Sequence, residues 1–424
     1  MHRHGLFWVL LGLIISHSYS FSNVRSSSSS VQGLSFEAIE ELARKRYHSN
    51  LDVRYGNHSP PLKGKVAVIT GAAGGIGGQL SKIVYRLGGT VVALDRDAVG
   101  LDALQRSLIE EYSDYDGATN VNNGAQISSN YSHDRIIIIP TNHEDLSSVA
   151  SAAETIKSRF AQVDILVNNA GVTYSNKSMV SAHGKDLAFT VNYLSHFLLT
   201  EKLLEALSNG GRIVHVTSTY HWKVDGSELL PDKENGTPIA YESDPQLQSA
   251  KHLQRSYANT KLAQIWHSRS IAKALPNGGR CSSVCVCPSW AATGIAGEDR
   301  KDFLERYAFA TSDCGPGITS AINGMLRTDE ELGDALNEGK SFVANSRILE
   351  YVKVKRVMTS DFVSKILGWR DFICDLIGVA ILLGQKYTHQ DFIIQQTSPE
   401  SFNDIEKRER FYQWSKEEVK RCLQ

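Results

Sequence analysis

Short apolar runs rich in β-branched residues alternate along this chain with longer stretches whose apolar positions recur every three or four residues. Lys65-Val66-Ala67-Val68-Ile69 is the first such run, and Gln79 to Leu87 then places Leu80, Ile83, Val84 and Leu87 on one side of a helix. Thr90 to Leu94, Ile136 to Pro140, Asp164 to Val167 and Arg212 to Thr217 repeat the strand pattern, and Leu187 to Leu203 repeats the helical one. Continuous apolar strands alternating with helices predict an α/β fold. The expected form is a Rossmann-type doubly wound parallel sheet of about seven strands with helices on both faces, plus inserted loops and a C-terminal extension.

The turn after the first strand, Thr70-Gly71-Ala72-Ala73-Gly74-Gly75-Ile76-Gly77, stands between a strand and a helix. There, glycines permit a tight turn and let backbone N–H groups and the positive helix N-terminus approach a pyrophosphate. Gly71, Gly75, Ile76 and Gly77 are therefore candidate cofactor-binding residues. The second strand ends in Asp95, about 20 residues beyond the glycines, where a carboxylate can accept both ribose hydroxyls of NAD. Arg96 follows it, and a guanidinium there can pair with the 2′-phosphate of NADP, so NAD is favoured and NADP stays open.

Tyr257-Ala258-Asn259-Thr260-Lys261 places a phenol and an ammonium one helical turn apart. The ammonium lowers the pKa of the phenol and suits it to proton transfer near neutral pH. With the glycine turn, Asn168-Asn169-Ala170-Gly171 and the run from Phe189 to Thr200, this segment resembles the short-chain dehydrogenase/reductase family, and in detail its retinol-dehydrogenase-like branch. The resemblance runs from roughly Leu62 to Ser346. It implies catalytic roles for Asn192, Ser218, Tyr257 and Lys261, with Asn192 holding a water in a proton relay and Ser218 bonding the substrate oxygen. It also implies cofactor contacts at Asn168, Ala170, Pro288 and Thr293, and at Asn142 beside the adenine. The family pattern has glycine after the proline, where this chain has Ser289.

The substrate expected from that resemblance is a small lipophilic carbonyl or alcohol, in a protein that leaves homodimer formation open. Two other roles compete with it: a catalytically silent nucleotide-binding protein serving interaction or regulation, and a protochlorophyllide-reductase-like enzyme. Retention of the Tyr257/Lys261 pair favours the enzyme, because a binding module has no physical need for it. A formal net charge of −1 over 424 residues gives no nucleic-acid footprint. No metal-ligand spacing occurs, and the six cysteines read as mostly free, small core residues.

The remaining segments divide the chain further. Residues 1–20 combine a basic start with an apolar run too short to span a bilayer, as in a signal peptide. Residues 21–60 read as a serine-rich transit peptide or linker and a short helix. The expected destination is the secretory route, to the endoplasmic reticulum, outside the cell or a complex plastid, with association to a membrane surface open. Residues 61–347 form the dinucleotide-binding domain, with loop insertions at 112–134 and 221–250, the second placed over the substrate mouth. Residues 348–424 carry the apolar stretch Phe372 to Gly384, read as a core helix or pocket cap. A charged helix from Asp404 to Leu423 follows, with Phe411, Trp414 and Val419 turned inwards.

Overall fold

The computed structural model describes residues 34–47, 59–113, 133–173, 180–207, 209–232, 236–242, 250–274, 280–288, 291–292, 309–310, 318–336, 341–344 and 392–424. Residues 1–33, most of the 112–134 insertion, and the apolar stretch from Phe372 to Gly384 lie outside them.

Eight strands form one sheet: β1 (Val66–Thr70), β2 (Thr90–Asp95), β3 (Ile136–Pro140), β4 (Ile165–Asn168), β5 (Asn209–Val216), β6 (Arg280–Cys287), β7 (Ser341–Ala344) and β8 (Ile393–Gln396). Their spatial order is 8-7-6-5-4-1-2-3. Seven run parallel and β8 pairs antiparallel with β7, so the expected parallel sheet gains one reversed edge strand. The order reverses between β1 and β4, the switch point at which doubly wound sheets hold ligands beyond their strand ends.

Alternation along each strand sorts side chains onto two faces. Val66 and Val68, Val92 and Leu94, Leu166, and Ile213 face one core with α4 (Leu146–Arg159), α5 (Ser195–Leu207), α6 (Ala250–Ala274) and α8 (Ile405–Cys422). Ala67 and Ile69, Val91 and Ala93, Ile165 and Val167, and Val214 and Val216 face the other. That core is closed by α1 (Phe36–Tyr47), α2 (Gly75–Arg86), α3 (Ala98–Ser113) and α7 (Thr319–Leu326). Asp164, buried ahead of β4, accepts the Val66 N–H at 2.9 Å and the Lys65 ammonium at 3.0 Å, which pins β1 to β4.

Arg212 of β5 is fully buried and donates to the Gly324 carbonyl, Ser282 and Asp329. Asp329 also receives Arg46 of α1, so α1 is fastened to the aliphatic core by charge as well as by Ile39 and Ala43. On the opposite face the C-terminal helix is part of the core. Phe411, Trp414 and Val419 turn inwards as the sequence predicts, Phe411 stacks on Tyr193 at 5.1 Å, and the Tyr412 hydroxyl meets Glu201 at 2.8 Å.

The expected insertion at 221–250 carries local structure where it is described. It folds into 3-10 turns at Thr219–Lys223, Ser227–Leu229 and Ile239–Tyr241, and it buries Val224, Leu229 and Tyr241. Glu228 accepts from Arg255 and Asn259, fastening the turn to α6. Among the described residues, no helix is long and apolar enough to cross a membrane. Cys281, Cys285, Cys287 and Cys422 are free thiols.

Candidate active site

The glycine turn is built from backbone geometry. Gly71 and Gly75 have φ of +68° and +54°, in the left-handed region where a side chain is strained. A Cβ on Gly77 would lie 2.2 Å from the Gly71 carbonyl oxygen, so no larger residue fits there. Gly74 caps α2 without a side-chain hydrogen bond, and the first turn holds no acid. Orphan N–H groups and the positive helix end therefore face an open position that suits a pyrophosphate.

Asp95 spans the top of this turn, accepting the Ala73 N–H through one carboxylate oxygen and the Asp97 N–H through the other, both at 3.0 Å. Arg96 beside it pairs with Glu144 at 2.5 Å. An open cleft lies here, lined by Gly71, Asp95, Arg96, Asn142, Glu144 and Ala170 among others. Five predicted cofactor residues thus come together in one place. Asn142 accepts the Glu144 N–H through its side-chain oxygen. Asn168 lies elsewhere: it is fully buried on the α5 side of β4, and its amide donates to Thr200 Oγ1 at 3.0 Å. Pro288 stands half-buried just past β6, and Thr293 lies outside the described residues.

Thr70 organises the ground between cleft and sheet. Its hydroxyl oxygen accepts the N–H groups of Asn169 and Ala170, each at 2.9 Å, and stands 3.0 Å from Nε2 of His196. The other His196 nitrogen, Nδ1, is 3.0 Å from the Asn192 carbonyl. A carbonyl only accepts, so Nδ1 carries the proton and Nε2 offers a lone pair. Burial holds the imidazole well below its ordinary pKa and keeps it neutral.

Asn192 lies on a π-turn, Thr190–Leu194, inserted ahead of α5. Its side chain accepts the Val172 N–H at 2.8 Å and donates to the Val172 carbonyl at 2.9 Å and to Thr260 at 3.2 Å. The side-chain amide thereby holds the segment after Gly171.

On α6 the Lys261 ammonium sits 5.3 Å from the centroid of the Tyr257 ring. It donates to the Val216 carbonyl at 2.9 Å and to Gln264 Oε1 at 3.2 Å. Burial depresses it to about 8, with the Cys287 and Cys285 thiols opposing. Ser218 stands just past β5 and caps the next turn by accepting the Tyr220 N–H at 3.3 Å. The Tyr220 ring meets the Tyr257 ring edge-on, centroids 5.7 Å apart. Ser218, Tyr220, Tyr257 and Lys261 thus form one group at the β5 end of the switch point.

Sequence reasoning passed over Thr70, Glu144, His196 and Gln264. Thr70 and His196 stood inside quoted motifs. Nothing marks Glu144 or Gln264 as more than a solvated turn residue and a helical glutamine.

The glycine turn after β1 and the Tyr257/Lys261 pair of α6, its lysine buried and its tyrosine half-buried, are the two features to set beside known proteins. The family model described as short chain dehydrogenase matches residues 113–227. The chain is 27% identical over 236 residues to oxidoreductase fscI of Fusarium equiseti, covering 51% of this chain and 84% of that protein. It is 29% identical over 222 residues to human retinol dehydrogenase 12, covering 51% of this chain and 59% of that one. A crystal structure of an uncharacterized protein from Mycobacterium paratuberculosis shares the fold, with a TM-score of 0.52 at 18% identity over 84% of this chain and 94% of that one. Over residues 113–227 the chain is similar to the short-chain dehydrogenases, and its similarity extends to the retinol dehydrogenases.

Proposed function

We propose that this protein is an NAD(P)-dependent oxidoreductase acting on a lipophilic carbonyl or alcohol. The observation that carries the reading is the buried Lys261 ammonium placed 5.3 Å from the Tyr257 ring centroid, beside Ser218 and across the switch point from the glycine turn. The residues present fit a nicotinamide dinucleotide, because Gly71 and Gly77 let the turn pack tightly on itself and on Asn169, while the space beside Gly74 is open and α2 starts with neither a side-chain cap nor an acid in its first turn. When bound, the nicotinamide supplies or accepts the hydride.

The protein's own part is to orient and to move a proton. Ser218 bonds the substrate oxygen, and Tyr257 gives that oxygen its proton in reduction and takes it in oxidation. The Lys261 charge stabilises the Tyr257 phenolate, and its one remaining N–H would hold the nicotinamide ribose of a bound cofactor. Asn192 sets the Gly171–Val172 segment at the cleft wall. The glycine turn would hold the pyrophosphate of a bound dinucleotide through the N–H groups of Gly75, Ile76 and Gly77 at the start of α2. Asp95 takes the adenosine ribose, which favours NAD, and Arg96 is held back by Glu144. Lipophilic substrates are suggested by the likeness to retinol dehydrogenases and by Tyr220 at the mouth.

Replacing Tyr257 with Phe tests the reading. Nucleotide affinity stays within about threefold, while turnover falls by about 10²- to 10⁴-fold, the usual worth of a positioned acid or base. Wild-type turnover in that variant would remove Tyr257 from the mechanism. Reading residues 1–20 as a signal peptide belongs to the same proposal, and sequencing the N-terminus of the mature protein decides it.

A further inference from the structure

Lys261 is nearly fully buried, and the groups packed around it supply no carboxylate among the described residues. Tyr257 faces it from its own helix, Cys285 and Cys287 from β6, His215 from β5 and His196 from α5. Its hydrogen bonds go to two neutral oxygens, the Val216 carbonyl and Gln264 Oε1. Gln264, 1% exposed, turns its amide nitrogen the other way and donates to the Asn192 carbonyl at 2.8 Å. That same carbonyl receives the His196 Nδ1 proton.

We infer that Gln264 is a positioning residue, whose side-chain amide links the Lys261 ammonium to the π-turn carbonyl of Asn192 and holds the lysine against Tyr257. The inference rests on the proposed roles of Tyr257 and Lys261. An ammonium has three N–H donors. Val216 and Gln264 use two of them, leaving one for the ligand side. A neutral oxygen fixes the lysine without cancelling its charge, so the full charge still acts on the phenol. A carboxylate at 264 would also bond the lysine but would neutralise it, and it would set an acceptor against the Asn192 carbonyl in place of the amide donor. An apolar residue would leave the lysine loose and the Asn192 carbonyl with one donor fewer.

Two variants separate charge from position. In Gln264→Glu the acid limb of the oxidation profile, and the phenolate absorbance of Tyr257 titrated without nucleotide, move to higher pH. The expected move is about one unit, a tenfold change in proton concentration, with NADH affinity within about threefold of wild type. Gln264→Met keeps the volume and loses both hydrogen bonds, and its kcat falls by about tenfold or more, the worth of one charge-assisted bond. A Gln264→Glu profile that superimposes on wild type overturns the inference, as does a Gln264→Met kcat within about twofold of it. Should the Glu variant fail to fold, the Met variant decides alone. If Tyr257→Phe turns over at the wild-type rate, the underlying mechanism fails instead, and the two failures are distinguishable.

Discussion

The two faces of the sheet are built from different materials. The face under α1, α2, α3 and α7 is packed almost wholly with Val, Ile, Leu and Ala, and at its α1 edge the buried Arg212 and nearly buried Arg46 pair with the exposed Asp329. The face under α4, α5, α6 and α8 is aromatic, with Phe189, Tyr193, Phe197, Tyr241, Trp266 and Phe411, and it buries Asn192, His196, His215, Lys261 and Gln264 among them. The nucleotide recognition proposed for the first side needs backbone and space, which glycine supplies. The proton handling proposed for the second needs polar groups kept from water. Each of those must find a partner or remain neutral.

That contrast predicts an uneven response to acid. Burial drives His143 down to about 4 and His221 to about 3, and holds His196 and His215 well below their ordinary value. All four are neutral when folded and protonate once unfolded. The unfolded chain therefore binds more protons below the ordinary histidine pKa, and stability falls as pH falls through 6.5 towards 4. Between about pH 6.5 and pH 5 each histidine costs roughly 2 kcal/mol, so the sum is several. Urea unfolding at pH 7 and pH 5 measures it, and equal midpoints would mean these histidines do not govern acid stability.

A smaller blow to the same face is Phe411→Ala. The ring is 1% exposed and touches Tyr193, Trp266 and Trp414, so its loss costs about 3–5 kcal/mol in unfolding experiments. A loss under about 1 kcal/mol would show that the C-terminal helix only rests on the core.

The mildest change probes the nucleotide end. Glu144→Gln releases Arg96, and NADPH affinity then rises about tenfold, or 1.4 kcal/mol, with NADH changing less than about threefold in fluorescence titration. Unchanged preference would leave Asp95 as the sole selector.

What could be read from the chain follows the same division. The strands β1 to β5 announce themselves as apolar runs, and the glycine turn carries its reason in its composition. The start of α2 at Gly75 does not, because glycine is a poor helix former and only the ligand-facing turn requires it there. Strand β8 is hidden by its edge position, where Ile394 is exposed and the pattern is weak. The π-turn at Thr190–Leu194 leaves no local mark, since it depends on the grip of Asn192 on Val172, twenty residues back in the chain. Tyr257 and Lys261 were legible because one helical turn sets their distance. Gln264 was not, because its partners are Lys261 on the same helix and a carbonyl supplied by another.

The packing of α8 has a further consequence for how the protein is made. The strands and helices that form the glycine turn are all synthesised within the first half of the chain, and they can assemble while the rest emerges. The elements that carry Tyr193, Trp266 and Tyr257 are completed only by Phe411 and Trp414, which emerge well after them. A prematurely terminated chain would then keep the cradle for a nucleotide and expose an unfinished aromatic face, a natural target for quality control.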